Sequence, residues 1–157
     1  MATNTSILFV CSGNTCRSPM AEAMFRKATK NRFQVKSAGI AASAGGKSMN
    51  PHTVKFLANR GIELNPTFAS QRVSNKLLDE ATHVFAMTAS ILRELKQNFP
   101  SATNKCFLVH RIDVPNPFCR GQQAYEQTGR VLDDAIPALI EFIDQKTTLL
   151  PAVDDLV

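Results

Sequence analysis

Cys11 and Arg17, separated by five residues, are the pair in this chain best placed to do chemistry. They lie in Val10-Cys11-Ser12-Gly13-Asn14-Thr15-Cys16-Arg17-Ser18-Pro19, directly after the apolar run Ile7-Leu8-Phe9-Val10. Thiolate is the reactive form of cysteine, and a helix N-terminus and a neighbouring guanidinium both favour it. The planar fork of Arg17 can hold two oxygens of a phosphoryl group while the Cys11 sulfur attacks the phosphorus. The chemistry expected is nucleophilic, through a phosphocysteine.

The elements around the pair must position it. The apolar run reads as a buried strand. Gly13 and Asn14 suit left-handed backbone angles, which fold a loop into a cup of N–H groups. Ser18 is a suitable N-cap and Pro19 a suitable first helical residue. The helix so begun aims its positive end at the cup. Ser12, Gly13, Asn14, Thr15, Cys16 and Ser18 are therefore the expected phosphate-binding residues, with Ser18 also able to donate to the sulfur.

Strands are expected at 6–11, 33–38, 82–87 and 106–109. Helices are expected at 19–31, at 51–60 with Gly61 as the stop, at 74–81, at 90–99 and at 124–145, where Pro137 is a candidate kink. The small-residue segment 38–49 and the proline-containing segment 113–121 read as loops. Strands alternating with helices indicate an α/β, three-layer fold, a parallel sheet covered on both faces. Ligands of such sheets bind beyond the carboxyl ends of strands, where Cys11 falls. The 157 residues suit a single domain over 1–157, with 146–157 expected as a loose tail.

At 44% hydrophobic and 20% charged residues the chain is ordinary for a globular protein, which excludes disordered and fibrous classes. The four cysteines, Cys11, Cys16, Cys106 and Cys119, match neither a disulfide framework nor a zinc site. His52, His83 and His110 are scattered, so no metal or other cofactor is expected. No signal peptide or membrane span is read, and a reactive thiol suits a reducing cytoplasm. The net charge of +5 hints at nucleic acid, but no basic cluster interleaves with aromatics. A positive field serves equally to attract a phosphorylated protein substrate or another oxyanion. Neither a nucleic acid nor a membrane is expected as a partner.

The segment Cys11 to Pro19 resembles the phosphate loop of the low molecular weight protein tyrosine phosphatases. Ser37-Ala38-Gly39, Phe85-Ala86-Met87 and Asp113-Val114-Pro115-Asn116-Pro117-Phe118 are similar to further segments of that family, so the resemblance spans about 6–145. It implies a four-stranded parallel sheet flanked by helices, with the phosphate loop between the first strand and first helix. It also implies Cys11 as nucleophile, Arg17 as the oxygen clamp, Asn14 as the loop's lock, Ser18 as thiolate stabiliser, and Cys16 as a partner for oxidised Cys11. Thr15 and the neighbouring sequence resemble the bacterial protein-arginine phosphatases. Ile40-Ala41-Ala42 offers aliphatic surface where phosphotyrosine-directed relatives have an aromatic wall. Phosphotyrosine and phosphoarginine both remain open as substrates.

One departure matters. The family's general acid is an aspartate before a proline, and here that place holds Asn116-Pro117. An amide delivers no proton, so impaired activity is expected. Three explanations stay open: Asp113 replaces the acid, the chain is a weak or non-catalytic phosphate-binding module, or Asn116 was engineered. A thiol-dependent arsenate reductase is a further alternative, but segment 81–98 lacks the relay cysteines such enzymes need.

Overall fold

The computed structural model describes residues 4–43 and 45–148. Its centre is β1 (Ser6–Cys11), in which Ile7 through Cys11 are all buried. A strand covered on both faces needs such an unbroken apolar run. β2 (Gln34–Gly39), β3 (His83–Ala86) and β4 (Cys106–Leu108) complete a parallel sheet in the order β2-β1-β3-β4. β1 sends its chain to one side to form β2, and the chain then returns across β1 to form β3. The order therefore reverses beside β1, and the crevice made by such a reversal opens beyond the end of β1 that carries Cys11.

The helices are α1 (Arg17–Ala28), α2 (Pro51–Asn59), α3 (Asn75–Glu80), α4 (Ala89–Asn98) and α5 (Gln122–Thr148). α1 lies on β1 and β2 and meets α2 and α5, while α4 covers β3 and β4, giving three layers. Local chemistry sets the helix starts. The Asn50 side chain accepts from His52 N at 2.9 Å, Ser74 Oγ from Leu77 N at 3.2 Å, and Thr88 Oγ1 from Ile91 N at 3.1 Å. Gly61, at φ +67°, follows α2 as the expected stop. α5 turns Leu132, Ala135, Ile136, Leu139 and Ile143 inward and continues through Pro137, which lies on its exposed side.

Several expectations need correction. α1 begins at Arg17, so Ser18 is not its N-cap and Pro19 is its third residue. The N–H of that position lacks an intrahelical partner in any helix, so proline costs no bond there. α1 also ends at Ala28, short of Asn31, because Thr29 Oγ1 bonds back to Phe25 O at 2.8 Å and the next two residues take positive φ. Ala28, which the helical spacing puts on one face with the buried Met20 and Met24, is exposed. Gly13 is not in the left-handed region, whereas Asn14 is, at φ 60°. The helix expected to end at Gln145 runs to Thr148, and the rest of the expected tail lies outside the described residues.

Candidate active site

Main-chain bonding shapes the segment between β1 and α1. Cys11 O accepts from Ile40 N and Ser12 O from Ala41 N, each at 2.9 Å; Thr15 O accepts from Asn50 N at 3.1 Å and from Thr53 Oγ1 at 3.0 Å. Three carbonyls are thus held outward by the segments after β2 and before α2. In a trans peptide the N–H opposes the C=O, so the amides of Ser12, Gly13 and Cys16 turn the other way, into the loop. Gly39 allows this approach: a Cβ there would strike the Ser12 carbonyl oxygen and come within 3.0 Å of Asn14 N.

The cup so formed is a cavity of about 200 Å³, lined by every residue from Cys11 to Arg17 together with Asn116 and Phe118. Cys11 Sγ lies 3.0 Å from Ser18 Oγ and accepts from Asn14 N at 3.3 Å. The Arg17 guanidinium is buried and tethered, donating to Val114 O at 3.2 Å and Ser12 Oγ at 3.5 Å. Backbone donors, a helix N-terminus, a guanidinium and a sulfur around one small cavity are an arrangement able to receive a tetrahedral oxyanion.

A buried polar chain stands behind the sulfur. The Asn14 side chain is fully buried, and its Nδ2 donates to Ser18 Oγ at 2.8 Å and Ser37 Oγ at 3.0 Å. Its Oδ1 accepts from Gln71 N at 2.9 Å. Ser37 Oγ donates to Glu22 Oε1 at 2.5 Å, and Arg26 donates to Glu22 Oε2 at 2.6 Å. These donors and acceptors fix one another's direction. Asn14 can only donate to the two serines, so the Ser18 proton is left for an acceptor other than Asn14, with the Cys11 sulfur at 3.0 Å nearer than Ala38 O at 3.4 Å.

Cys16 Sγ turns to the buried Tyr125 hydroxyl, 3.2 Å away. Burial, and then the hydrogen bond to Cys16, push the Tyr125 phenol well above its usual range. Burial likewise pushes the Cys106 thiol up. All four cysteines are free.

The late loop supplies the rim. Asn116 Oδ1 accepts from Phe118 N at 3.2 Å, and Phe118 is 53% exposed. Asp113 Oδ1 instead accepts from Ala89 N at 2.9 Å, at the start of α4, and the residue does not line the cup. Asp113 therefore does not stand where a replacement acid for the cup would have to stand. A second cavity, sharing Gly13, Thr15 and Phe118, runs past Ala41, Ala42, Lys47, Met49 and Pro51, and among the described residues that line it the aromatic one is Phe118.

The histidines do not gather. His110 has an acid partner that its sequence neighbours do not reveal, Asp134 Oδ2 at 2.7 Å, and Asp133 pairs with Arg60 at 2.7 and 2.9 Å. Among the described residues no cluster is suited to a metal, and no helix is long and apolar enough to cross a membrane. Glu22, Tyr125 and Gln71 are site-supporting residues that the sequence reading missed. Glu22 and Arg26 at i,i+4 were the available signal, but such a pair usually marks a solvated face.

Comparison with known proteins gives a consistent result. Residues 6–149 match the family model of the low molecular weight phosphotyrosine protein phosphatase. The chain is 35% identical over 141 residues to a protein-arginine-phosphatase of Geobacillus stearothermophilus, covering 86% of this chain and 93% of that protein. It is 31% identical over 157 residues to the low molecular weight protein-tyrosine-phosphatase YfkJ of Bacillus subtilis, covering 92% and 99%. Among solved structures it superposes, at a TM-score of 0.83 and 31% identity, on a cysteine-to-serine mutant of the YwlE arginine phosphatase with a phosphorylated active-site serine. That match covers 90% of this chain and 97% of the other.

Proposed function

This chain belongs to the low molecular weight phosphotyrosine protein phosphatase family, whose named members are cysteine-based hydrolases, and we propose that Cys11 is its nucleophile, Arg17 its phosphoryl clamp and Asn116 the occupant of its general-acid position. The Cys11 sulfur attacks the phosphorus of a phosphorylated protein side chain. The bond from phosphorus to the leaving atom breaks, and a phosphocysteine forms. The inward amides of the loop and the Arg17 fork hold the three phosphoryl oxygens, and Ser18 donates to the sulfur whenever it carries charge. Water then attacks phosphorus, the S–P bond breaks, and phosphate leaves.

The observation that carries this reading is the placement of Cys11 Sγ at the floor of the cup, 3.0 Å from Ser18 Oγ and 3.3 Å from Asn14 N. The phosphorylated serine of the YwlE mutant supports a phosphoryl transfer at the equivalent place. The substrate is phosphotyrosine or phosphoarginine. Thr15 and the lack of an aromatic wall beside Ala41 and Ala42 favour phosphoarginine, and the exposed Phe118 ring at the rim offers a face to either group.

Asn116 weakens both reactions. Loss of a positioned acid costs on the order of 10²–10⁴ in rate. Tyrosine leaves with a pKa of about 10 and guanidine with one above about 12, so neither departs readily unprotonated. Asn116→Asp is close to isosteric, and its carboxylate can still accept from Phe118 N.

The test compares release of phosphate from a phosphotyrosyl and a phosphoarginyl peptide by this chain, by Asn116→Asp and by Cys11→Ser. Asn116→Asp should raise turnover of the preferred peptide by about 10²-fold or more, and Cys11→Ser should abolish it. Turnover that survives Cys11→Ser would overturn the assignment. Vanadate binding without turnover in this chain, with turnover appearing in Asn116→Asp, would make the natural role phosphate recognition.

A further inference from the structure

We propose that the cup acts on acyl phosphates, the mixed anhydrides of a carboxylic acid with phosphate. The inference rests on the reading of Cys11 and Arg17 above and deepens it. Among the described residues that line the cavity, the only ionisable side chains are the two cysteines and Arg17; none is Asp, Glu, His, Lys or Tyr. Asp113, the nearest carboxylate in sequence to the rim, is committed to Ala89 N. The site thus holds a nucleophile and an oxyanion receptor, but no group that hands a proton to a leaving atom.

Such a site selects substrates by the basicity of what leaves. A carboxylate has a conjugate acid of pKa about 4, against about 10 for tyrosine and above about 12 for guanidine. It departs as an anion and needs no proton. The rim suits it as well. Asn116 Oδ1 is engaged by Phe118 N, which leaves Nδ2 as the side chain's donor at the cavity edge. An amide that donates without releasing its proton complements the carbonyl oxygen of an acyl group.

The steps balance without a co-reactant. The Cys11 thiolate forms a bond to phosphorus, and the P–O bond to the acyl group breaks with its electron pair going to the carboxylate. Water then bonds to phosphorus, the S–P pair returns to sulfur, and both protons of the water remain on the released dihydrogen phosphate. No carboxylate activates that water, so the second step is the slow one and phosphocysteine accumulates.

Two sources offer this chemistry, a small carboxyl phosphate and a phosphorylated aspartyl side chain in a protein. The experiment follows acetyl phosphate, a protein carrying phosphoaspartate, an activated aryl phosphate and a phosphotyrosyl peptide by rapid quench, each against Cys11→Ser to remove spontaneous hydrolysis. The expected result is a burst of about one phosphoryl group per enzyme from at least one acyl phosphate, with bond cleavage at least a hundred-fold faster than from the phosphotyrosyl peptide. Asn116→Asp should then accelerate the phosphotyrosyl peptide far more than the acyl phosphate. A burst with only one of the two acyl substrates supports the proposal and identifies its source. If the aryl phosphate is turned over through Cys11 but neither acyl phosphate exceeds the Cys11→Ser rate, the proposal is overturned and the phosphatase reading stands. Equal acceleration of both substrate classes by Asn116→Asp also overturns it. If no substrate depends on Cys11, both readings fall.

Discussion

Glu22 shows how far from the sulfur the site is determined. It is buried in α1, accepts from Ser37 and Arg26, and does not line the cup. It acts as a positioning residue. By taking the Ser37 proton it obliges Ser37 to accept from Asn14, which steadies the amide that also donates to Ser18 and turns the Ser18 proton toward Cys11 Sγ and Ala38 O. Glu22→Ala takes away the acceptor of the Ser37 hydroxyl; Asn14 keeps its orientation through Gln71 N, but one of its two serine partners is no longer held, and the Ser18 hydroxyl is placed less firmly against the sulfur. The expected outcome is a fall in kcat on the order of ten-fold or more, from one charge-assisted hydrogen bond of about 1.5–3 kcal/mol, and a shift of the pH–rate profile to higher pH. Glu22→Gln keeps an acceptor for Ser37 and should keep the profile, even where loss of the Arg26 pair lowers stability. A purely structural role would move neither profile. At this scale the sequence displayed Cys11, Arg17, Ser18 and Asn14 plainly, because the loop is contiguous and each type has a distinct task. It did not display Glu22, Ser37 or Tyr125 as a set, because burial and long-range contact, not local type, bring them to the loop.

The elements were legible where periodicity and breakers agree. β1 announces itself as an apolar run between a polar start and the loop, and α2 as an apolar face closed by Gly61. The start of α1 was misread for a specific reason. Ser18-Pro19 has the composition of a helix start, yet the Ser18 hydroxyl is drawn to the sulfur and the helix begins two residues earlier, at Arg17. The late loop offers the converse case. Asp113 looks like a spare acid in sequence but in the fold it tops α4, beside the Thr88 cap. Asp113→Ala should lower unfolding free energy by about 1 kcal/mol, the usual worth of a cap contact, and leave phosphatase turnover within about two-fold. Chemical denaturation and steady-state rates check the two halves of this expectation. A hundred-fold loss of rate would instead make Asp113 the acid.

Over the whole molecule, the alternation of strands and helices predicted the parallel sheet, and the reversal of strand order at β1 explains why the site opens at Cys11. Two acids are buried in their neutral forms within this frame, Tyr125 and Cys106, both pushed upward by burial. The folded state therefore holds these protons more tightly than the unfolded chain does. The stability they contribute is fully present below the unfolded values, and it is lost as pH rises above about 8.5 for the thiol and about 10 for the phenol. Thermal melts should show Tm falling through this alkaline range, and Tyr125→Phe should remove the steeper part above about pH 10. A fall unchanged in Tyr125→Phe would assign the loss to other groups.

The central claim is that the fold makes the Cys11 sulfur a nucleophile facing an oxyanion site. The most direct measurement is site-resolved alkylation by iodoacetamide at neutral pH, with and without vanadate, read by peptide mass spectrometry. Exposure alone would rank Cys119 first, since it is exposed while Cys11 is 2% exposed. The structure-based expectation is the reverse: Cys11 is modified fastest, and vanadate protects Cys11 while leaving Cys119 reactive. Modification of Cys119 alone, with Cys11 slow and indifferent to vanadate, would contradict the account.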